Sequence, residues 1–505
     1  MTMMTQAEIF EVLGQWSAPA LVARPPLRQG GVDPLGLRQV NFDLMDRCIP
    51  GLNNTATRLR PYTLVAWAWW KAAALGKAEV GDMIDVDRLK AYVDRVEVLF
   101  AVGHLLEDDF AGLLGSDTLR GEVISQGSYD FSSKRWKSFR NRRKLTTSLM
   151  APVSYGPSAK EGAGLGYLSV RADGAFAPTA EVMPAVLALD DMLAEILDDP
   201  CLARLDCGKV EVEHMRELHS YWSMVDLTEA EREIGRSRLL RGPRRQTLDL
   251  VQSVLRQADN PMDVAQIRQA LAQLAPQAVP AGKEPDAASL WRAMQAQQLH
   301  RISLEALLVW LLGAAVNRPH HLTELADLLL EETDHDEGAS FGQWQNALPA
   351  PDGQPCDPVP AIECLSQAKQ RDNPGLALDG LRTALALCRE MGSDPRLFGG
   401  AADRLPLALA LTRAGRIANL PLRDGFEILL SEWVIGQHLY WAVGRSGDET
   451  QRLRLMLDEG GWLAFSSPAN AAPTPDRLGT LLSLATDAGI LHWEEADGYD
   501  VYAMP

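Results

Sequence analysis

Long apolar runs are missing from this sequence. The longest nearly unbroken ones cover residues 306–316 and 62–70, and both are well short of the roughly 18 residues that suggest a bilayer span. Residues 1–15 contain Glu8 and Glu11 and lack the basic stretch followed by an apolar stretch that a secretory signal requires. The sequence therefore predicts no contact with a membrane and a cytoplasmic location.

Cysteine is scarce and shows no ligand spacing. The chain has six cysteines in 505 residues, with no CxxC pair and no paired Cys/His pattern, at Cys48, Cys201, Cys207, Cys356, Cys364 and Cys388. This argues against a disulfide framework and against a structural zinc site.

Motifs for common catalytic reactions are also absent or out of context. No G-x-x-x-x-G-K-[ST] occurs, which excludes a P-loop ATPase. Residues 338–342 satisfy G-x-S-x-G, but acidic residues precede them where a nucleophile elbow needs a buried strand. The glycine-rich residues 162–166 precede a hairpin rather than open a helix, unlike a dinucleotide loop. We predict no cofactor, and we favour a protein that is not an enzyme.

Positive charge is in deficit, since the formal net charge is −18. The whole-molecule field therefore repels nucleic acid, and phosphate binding requires a local patch. The densest patch brackets two aromatic residues that could stack on bases, and its members are Lys134, Arg135, Trp136, Lys137, Phe139, Arg140, Arg142, Arg143 and Lys144. This basic strip is the predicted nucleic-acid or anion site, and a solvated face or a dock for an acidic surface is the alternative. A second arginine group, from Arg232 to Arg245, is mixed with acids and predicts a charged helix end.

Two smaller sets of residues are candidates for anion binding and for metal binding. Arg58 and Arg60 follow a Pro-Gly turn and could contact an anion or a partner, although a structural pair with Asp43 or Asp46 is the more ordinary interpretation. Candidate metal ligands cluster most densely at His320, His321, Asp334 and His335. Their spacing fits no HExxH or EF-hand pattern, so we predict no metal site there.

Helical patterns dominate what is present. Hydrophobic residues make up 46% and charged residues 23% of the chain, which is ordinary for a globular protein. Residues 275–289 and 347–361 concentrate Pro, Gly and Ala like linkers. We predict a mainly α, multidomain helical protein with an N-terminal helical domain (1–274), a central helical segment (290–346) and a C-terminal helical domain (362–505).

Small α+β modules resembling winged helices are predicted in two places. Near residues 150–199, an Asp173-Gly174 turn separates two strand-like runs, and Thr179 could cap the helix that follows. In residues 450–505, Thr474 with Pro475 predicts a helix start, and a second Gly-turned hairpin follows that helix. The exposed face of this last helix, predicted as Asp476, Arg477, Thr480, Ser483 and Asp487, is acidic on balance, which does not suit phosphate contact.

Both ends of the chain carry motifs of one set of proteins. These motifs are residues 33–36 (DPLG), residues 49–62 with the tryptophan-rich helix after them, residues 453–462 and the Thr-Pro-Asp-Arg helix start. In them the chain resembles a loose set of uncharacterised bacterial proteins. Members tend to be encoded in anti-phage defence islands, beside helicases, ATPases or nucleases. The resemblance implies partners of those kinds and brings no catalytic residues.

These observations favour a non-enzymatic interaction subunit of a bacterial antiviral defence system, which binds partner proteins and has DNA or RNA as a candidate ligand. Two alternatives remain open at this point. One is a metal-dependent nuclease of unfamiliar type, built on the acids and imidazoles of residues 320–337 and fed by the basic strip. The other is a winged-helix transcriptional regulator.

Overall fold

A computed structural model describes residues 33–81, 85–274, 284–333, 335, 338–347, 357–445, 452–464, 470–496 and 498–505. The structure is 62% helix and 8% strand, and the strands form only small sheets. The mainly α fold class is therefore confirmed.

The elements follow the chain in this order. The α-helices are α1 (Arg38–Cys48), α2 (Arg60–Val80), α3 (Val86–Leu106), α4 (Ser116–Glu122), α5 (Lys134–Arg143), α6 (Tyr155–Ala159), α7 (Met183–Met192), α8 (Pro200–Ala203), α9 (Val212–Glu217), α10 (Glu229–Leu239), α11 (Gly242–Gln257), α12 (Val264–Gln273), α13 (Ala287–Ala314), α14 (Leu322–Thr333), α15 (Phe341–Asn346), α16 (Pro358–Gln367), α17 (Pro374–Glu390), α18 (Pro395–Phe398), α19 (Leu407–Arg416), α20 (Leu422–Ile428), α21 (Gln437–Arg445) and α22 (Leu478–Asp487). A π-helix (Leu429–Gly436) joins α20 to α21, and short 3-10 helices cover Ile124–Gln126, Ala180–Val182, Ala194–Ile196, Leu218–Tyr221, Gln370–Asp372 and Ala402–Arg404. The strands are β1 (Ser128–Asp130), β2 (Leu168–Val170), β3 (Phe176–Pro178), β4 (Lys209–Glu211), β5 (Met262–Asp263), β6 (Leu455–Asp458), β7 (Gly461–Ala464), β8 (His492–Ala496) and β9 (Tyr499–Ala503).

The long helix α13 is the centre of the fold. Asp286 caps it by accepting the Ser289 amide, and the helix is buried along almost its whole length because other helices surround it. Helices α17, α16 and α1 pack against it. The predicted pair on this helix is present, with Arg301 Nη1 2.7 Å from Glu305 Oε2 and both side chains buried.

Two local hairpins form as the turn residues predict. Strands β2 and β3 pair antiparallel around Gly174, whose φ of +78° suits glycine in this turn. The predicted helix follows, but Thr179 makes no capping bond, because its hydroxyl donates to the Gly166 carbonyl. Strands β8 and β9 form the second hairpin, around Gly498.

The second hairpin has a partner from far away in the chain. Strand β5 pairs antiparallel with β9, so the sheet order is β5-β9-β8. Helices α11 and α12 flank β5 in the chain, and α12 also contacts α22. The C-terminal hairpin is thus part of a unit that includes residues 242–273.

The start and the surface of helix α22 differ from the prediction. The helix begins at Leu478 after Arg477, whose φ is +62°, so Thr474 is not its N-cap. Asp476, Thr480 and Asp487 are buried rather than exposed. The reason is tertiary, since Asp476 pairs with Arg268 and Asp487 pairs with Arg58, on parts of the chain distant in sequence.

One connected set of buried apolar side chains extends from Leu35 to Tyr502. It includes residues from each of the three predicted parts, whose division into separate domains stays a prediction. Among the described residues, no helix combines the length and apolar character that a bilayer crossing needs.

Candidate anion-binding site

The fold brings together two sequence features that lie far apart in the chain. The glycine-rich loop of residues 161–166 faces the end of α10 and the start of α11 across a cleft of about 400 Å³. We call this the arginine cleft, and it is lined by Pro50, Glu161, Gly162, Ala163, Gly164, Leu165, Gly166, Glu181, Arg238, Arg241, Gly242, Pro243 and Arg244.

Glycine is required at several positions of the loop. Gly162 and Gly166 have φ of +95° and +71°, which favour glycine. A Cβ at Gly164 would lie 2.4 Å from the Lys160 carbonyl oxygen, so only glycine permits this close turn. The loop is held by the Leu165 amide, which donates to the Ser158 carbonyl at 2.6 Å. The loop thus presents backbone to the cleft with no side chain at three of its positions.

Arg244 is buried, with 6% of its surface exposed. Its guanidinium donates to the carbonyls of Pro50 at 2.7 Å, Ala163 at 3.2 Å and Arg238 at 3.1 Å. Its Nε has no acceptor, and no carboxylate of the described residues forms an ion pair with it. Burial, with the charges of Arg241 and Arg238, lowers the pKa of Arg244. The side chain is therefore a buried cation without a counter-charge.

The other two arginines share one acid. Glu181 lies 2.8 Å from Arg238 Nη1 and 2.7 Å from Arg241 Nη2, and its own side chain is 62% exposed. The hydrogen bond from Arg241 and the charges of both arginines lower the pKa of Glu181. Glu161 also lines the cleft. The lining therefore holds three arginines against two glutamates.

Helix α11 adds to the positive field. Arg241 stands at its N-cap and makes no side-chain capping bond, and Pro243 occupies its first turn. The amide groups at a helix N-terminus favour an anion, because the peptide dipoles align and these N–H groups have no partner inside the helix. The cleft therefore combines a helix start, a glycine-rich loop and guanidinium groups, which suits an oxyanion.

The basic strip forms helix α5, and its aromatic residues face inward. Trp136 and Phe139 are buried with Tyr129 and Phe131, so they offer no ring face for stacking on bases. Stacking on bases is not supported by this conformation, and the binding role of the strip stays a prediction.

Most of the arginines in the strip form ion pairs with acidic neighbours. Arg135 and Arg142 pair with Glu122, and Arg140 pairs with Asp94. Arg143 is buried with its Nη2 4.0 Å from Glu97 Oε2. Burial raises the pKa of Glu97 to about 8. Within the basic strip, the exposed cations for which the described residues form no ion pair are Lys134, Lys137 and Lys144.

Arg58 and Arg60 have structural partners, although not Asp43 or Asp46. Arg60 is fully buried, and its Nε lies 2.9 Å from Glu231 Oε1. Arg58 lies 3.1 Å from Asp487 and ties the turn before α2 to the end of α22.

The candidate metal ligands from the sequence each have different contacts in the fold. His320 is buried against Glu324, and His321 contributes its backbone amide to that same acid. His335 lies beside Trp344, whose indole N–H donates to its Nε2 at 3.2 Å, and Asp334 lies outside the described residues. Groups of three metal-capable side chains in the described ranges occur elsewhere, around His104 and around His214.

Ser340 serves as a helix cap. Its hydroxyl accepts the Gln343 amide and caps helix α15, as one half of a capping box. This is consistent with a coincidental G-x-S-x-G match.

The signal that could have revealed the arginine cleft was present in the sequence. Arg238, Arg241 and Arg244 surround a Gly-Pro helix start, and cations beside a helix N-terminus suit an anion. Their pairing with a loop some eighty residues earlier is a tertiary fact that spacing alone does not give. Comparisons with family models, with curated proteins and with solved structures found no match to the chain.

Proposed function

We propose that this protein is a non-enzymatic interaction subunit of a bacterial antiviral defence system, which holds partner proteins and binds a phosphate-bearing ligand in the arginine cleft. Nucleic acid is the ligand class that we put first. The partners are other subunits of the defence complex, such as a helicase, an ATPase or a nuclease. The motif resemblance at both ends of the chain supports the system, and the cleft supports the ligand.

One observation carries the ligand proposal: Arg244 is a buried cation with no carboxylate partner. Burying a charge is costly unless it is paired, so a site of this kind gains from an incoming anion. A phosphate has oxygens for several donors at once, and guanidinium groups match its geometry with paired N–H groups.

The position of Glu181 suits a site in which a phosphate can replace a carboxylate. Its exposed carboxylate bridges Arg238 and Arg241, and it occupies donors that a phosphate would use. A terminal phosphate carries more charge than a carboxylate and an internal phosphodiester carries as much, so either can compete with Glu181 for these donors. The cleft volume of about 400 Å³ leaves room for a sugar beside the phosphate.

The burial of helix α22 argues against a role in reading DNA. The order α11, β5, α12, α22, β8, β9 with the sheet order β5-β9-β8 is what a winged helix would show if residues 274–477 were inserted between its second and third helices. In such a module the third helix enters the major groove. Here most of α22 is buried, in part against α10. The order of elements is compatible with a winged-helix transcriptional regulator, but the helix that would read DNA is mostly buried.

Anisotropy measurements with labelled single- and double-stranded DNA and RNA test the ligand. Arg241→Ala removes an exposed guanidinium from the cleft and should weaken binding about tenfold or more, since a charged hydrogen bond contributes about 1.5–3 kcal/mol. Arg245→Ala is the matched control, because Arg245 is exposed on the next turn and pairs with Asp249 instead. Inorganic phosphate should compete with the wild type.

Equal losses in Arg241→Ala and Arg245→Ala, or no binding of any of the oligonucleotides at low salt, would refute the ligand proposal. Co-purification from the native operon tests the partner proposal. Recovery as a lone monomer that hydrolyses DNA would refute the non-enzymatic role.

A further inference from the structure

Three potential metal ligands converge at the end of α3, away from the arginine cleft. His104 lies in the last turn of this helix, Asp109 follows in the next loop, and His219 lies in the 3-10 helix Leu218–Tyr221. The Nε2 atoms of His104 and His219 lie 3.9 and 3.8 Å from Asp109 Oδ2. One ligand atom from each residue falls within 4.8 Å of the others.

His104 is oriented as a metal-binding imidazole would be. Its Nδ1 is 2.8 Å from the Phe100 carbonyl oxygen and therefore carries the proton that it donates there. Nε2 is therefore the unprotonated nitrogen that can act as a ligand, and a hydrogen bond from the far nitrogen to a carbonyl is the usual support of a ligating histidine. The Met224 amide donates to this Nε2 at 3.2 Å, at the long end for such bonds.

His219 supplies the observation that points to a ligand. Its Nε2 is buried and has no hydrogen-bond partner, which is unusual for a buried nitrogen. The ring packs edge-on against His104, with centroids 4.5 Å apart. Gly103 permits this approach, because a Cβ there would lie 2.9 Å from the Met215 carbonyl oxygen and 3.2 Å from the Cβ of His219.

An open groove adjoins the cluster. His219 lines a groove of about 620 Å³ together with Glu107, His214 and Arg216. Asp109 is 30% exposed, so the cluster is not sealed from solvent. A metal held here would have protein ligands on one side and access to water on the other.

We propose that His104, Asp109 and His219 bind a divalent transition metal of the Zn²⁺ class, with one coordination position open toward the groove. Zn²⁺ takes imidazole nitrogen and carboxylate oxygen, and sites with three protein ligands keep a position for water. Bonds of about 2.0 Å place tetrahedral ligands about 3.3 Å apart, so each histidine nitrogen must approach the carboxylate by roughly half an ångström. The Met224 amide loses one long hydrogen bond, a small cost beside a metal–ligand bond.

The second group of metal-capable side chains is already satisfied. Asp199 accepts the Cys201 amide with one oxygen and lies 2.6 Å from His214 Nε2 with the other. Burial and the neighbouring Asp199 raise the pKa of the Cys201 thiol, which disfavours the thiolate that a metal needs. His214 therefore serves as the control position for the proposed site.

Zn²⁺ itself is the probe in the test. The full chain is stripped with chelator and titrated with Zn²⁺ in competition with a chromogenic chelator, and melting is followed with and without metal. We expect about one Zn²⁺ per chain and a rise in Tm. Co²⁺ in place of Zn²⁺ should give visible d–d absorption bands of a low-coordinate nitrogen and oxygen site.

Variants locate the binding. His219→Ala and Asp109→Asn should each lower Zn²⁺ affinity at least tenfold, because each removes one of the three ligands. His214→Ala alters the same groove and should bind as the wild type does. Asp109→Asn keeps the size of a part-exposed side chain, so it remains informative if His219→Ala does not fold. Absence of Zn²⁺ binding by the wild type, retention in both ligand variants, or loss only in His214→Ala would overturn the proposal.

Discussion

The buried ion pair of Arg60 and Glu231 joins helices α2 and α10, and its contribution to the free energy of unfolding can be measured. Both side chains are fully buried. Glu231 binds Arg60 Nε at 2.9 Å and Nη2 at 3.1 Å, and it also accepts the Thr228 amide at 2.8 Å as part of the capping box of α10. Replacing Glu231 by alanine leaves the buried Arg60 guanidinium with the Asp226 carbonyl and the Met192 thioether as its hydrogen-bond acceptors.

The expected cost of Glu231→Ala follows from these contacts. Breaking one side of a buried pair costs about 3–5 kcal/mol, and loss of a helix cap adds about 1 kcal/mol. We expect the free energy of unfolding, measured by urea titration with tryptophan fluorescence, to fall by about 4–6 kcal/mol. Glu229→Ala is the control, since Glu229 is exposed in the same first turn, and its effect should stay within about 1 kcal/mol.

A second variant separates pairing from packing. Burial lowers the pKa of Arg60 even though Glu231 opposes that shift, so desolvation of the charge is the larger effect. The double variant Arg60→Met with Glu231→Leu should therefore lose less stability than Glu231→Ala alone, because no charge is left buried. A loss from Glu231→Ala as small as that from Glu229→Ala, or a double variant less stable than the single one, would refute this reasoning.

Two further predictions concern a histidine and a glycine. Burial lowers the pKa of His300 from 6.5 to about 4, so the folded state gains its full stability above pH 6.5 and loses about 3 kcal/mol as the pH falls to 4. His300→Gln should reduce this loss in urea titrations across that range, and an unchanged pH dependence would count against it. Gly51→Ala should destabilise by about 2 kcal/mol or more, because its Cβ would meet the Ala163 carbonyl at 1.6 Å with φ at +71°. Gly174→Ala, with a similar φ of +78° and open space, should lose about 1 kcal/mol, and equal losses in the two variants would contradict the steric argument.

Local features were predictable from the sequence because local chemistry determines them. The hairpin around Gly174 depends on a turn that glycine accepts without strain, and the Arg301–Glu305 pair depends on helical spacing alone. The mainly α class followed from apolar periodicity in the same way.

Long-range contacts account for what the sequence did not provide. Thr474 has the right type for a cap, but its amide donates to the Gln298 side chain on α13, and the helix begins four residues later. The inward turn of Trp136 in the basic strip depends on packing against Tyr129. The arginine cleft depends on a loop and a helix start that meet only in the folded chain.

The sheet order β5-β9-β8 has a consequence for synthesis on the ribosome. Strand β5, at Met262–Asp263, pairs with β9 at Tyr499–Ala503. The ribosome produces β5 long before β9. While residues 274–498 are translated, β5 and its neighbouring helices α11 and α12 therefore lack β9 as a partner. The part of their surface that packs against β9 in the folded protein is then open to chaperones or to early assembly partners. Chains arrested before residue 499 should therefore be bound by chaperones more strongly than released full-length chains.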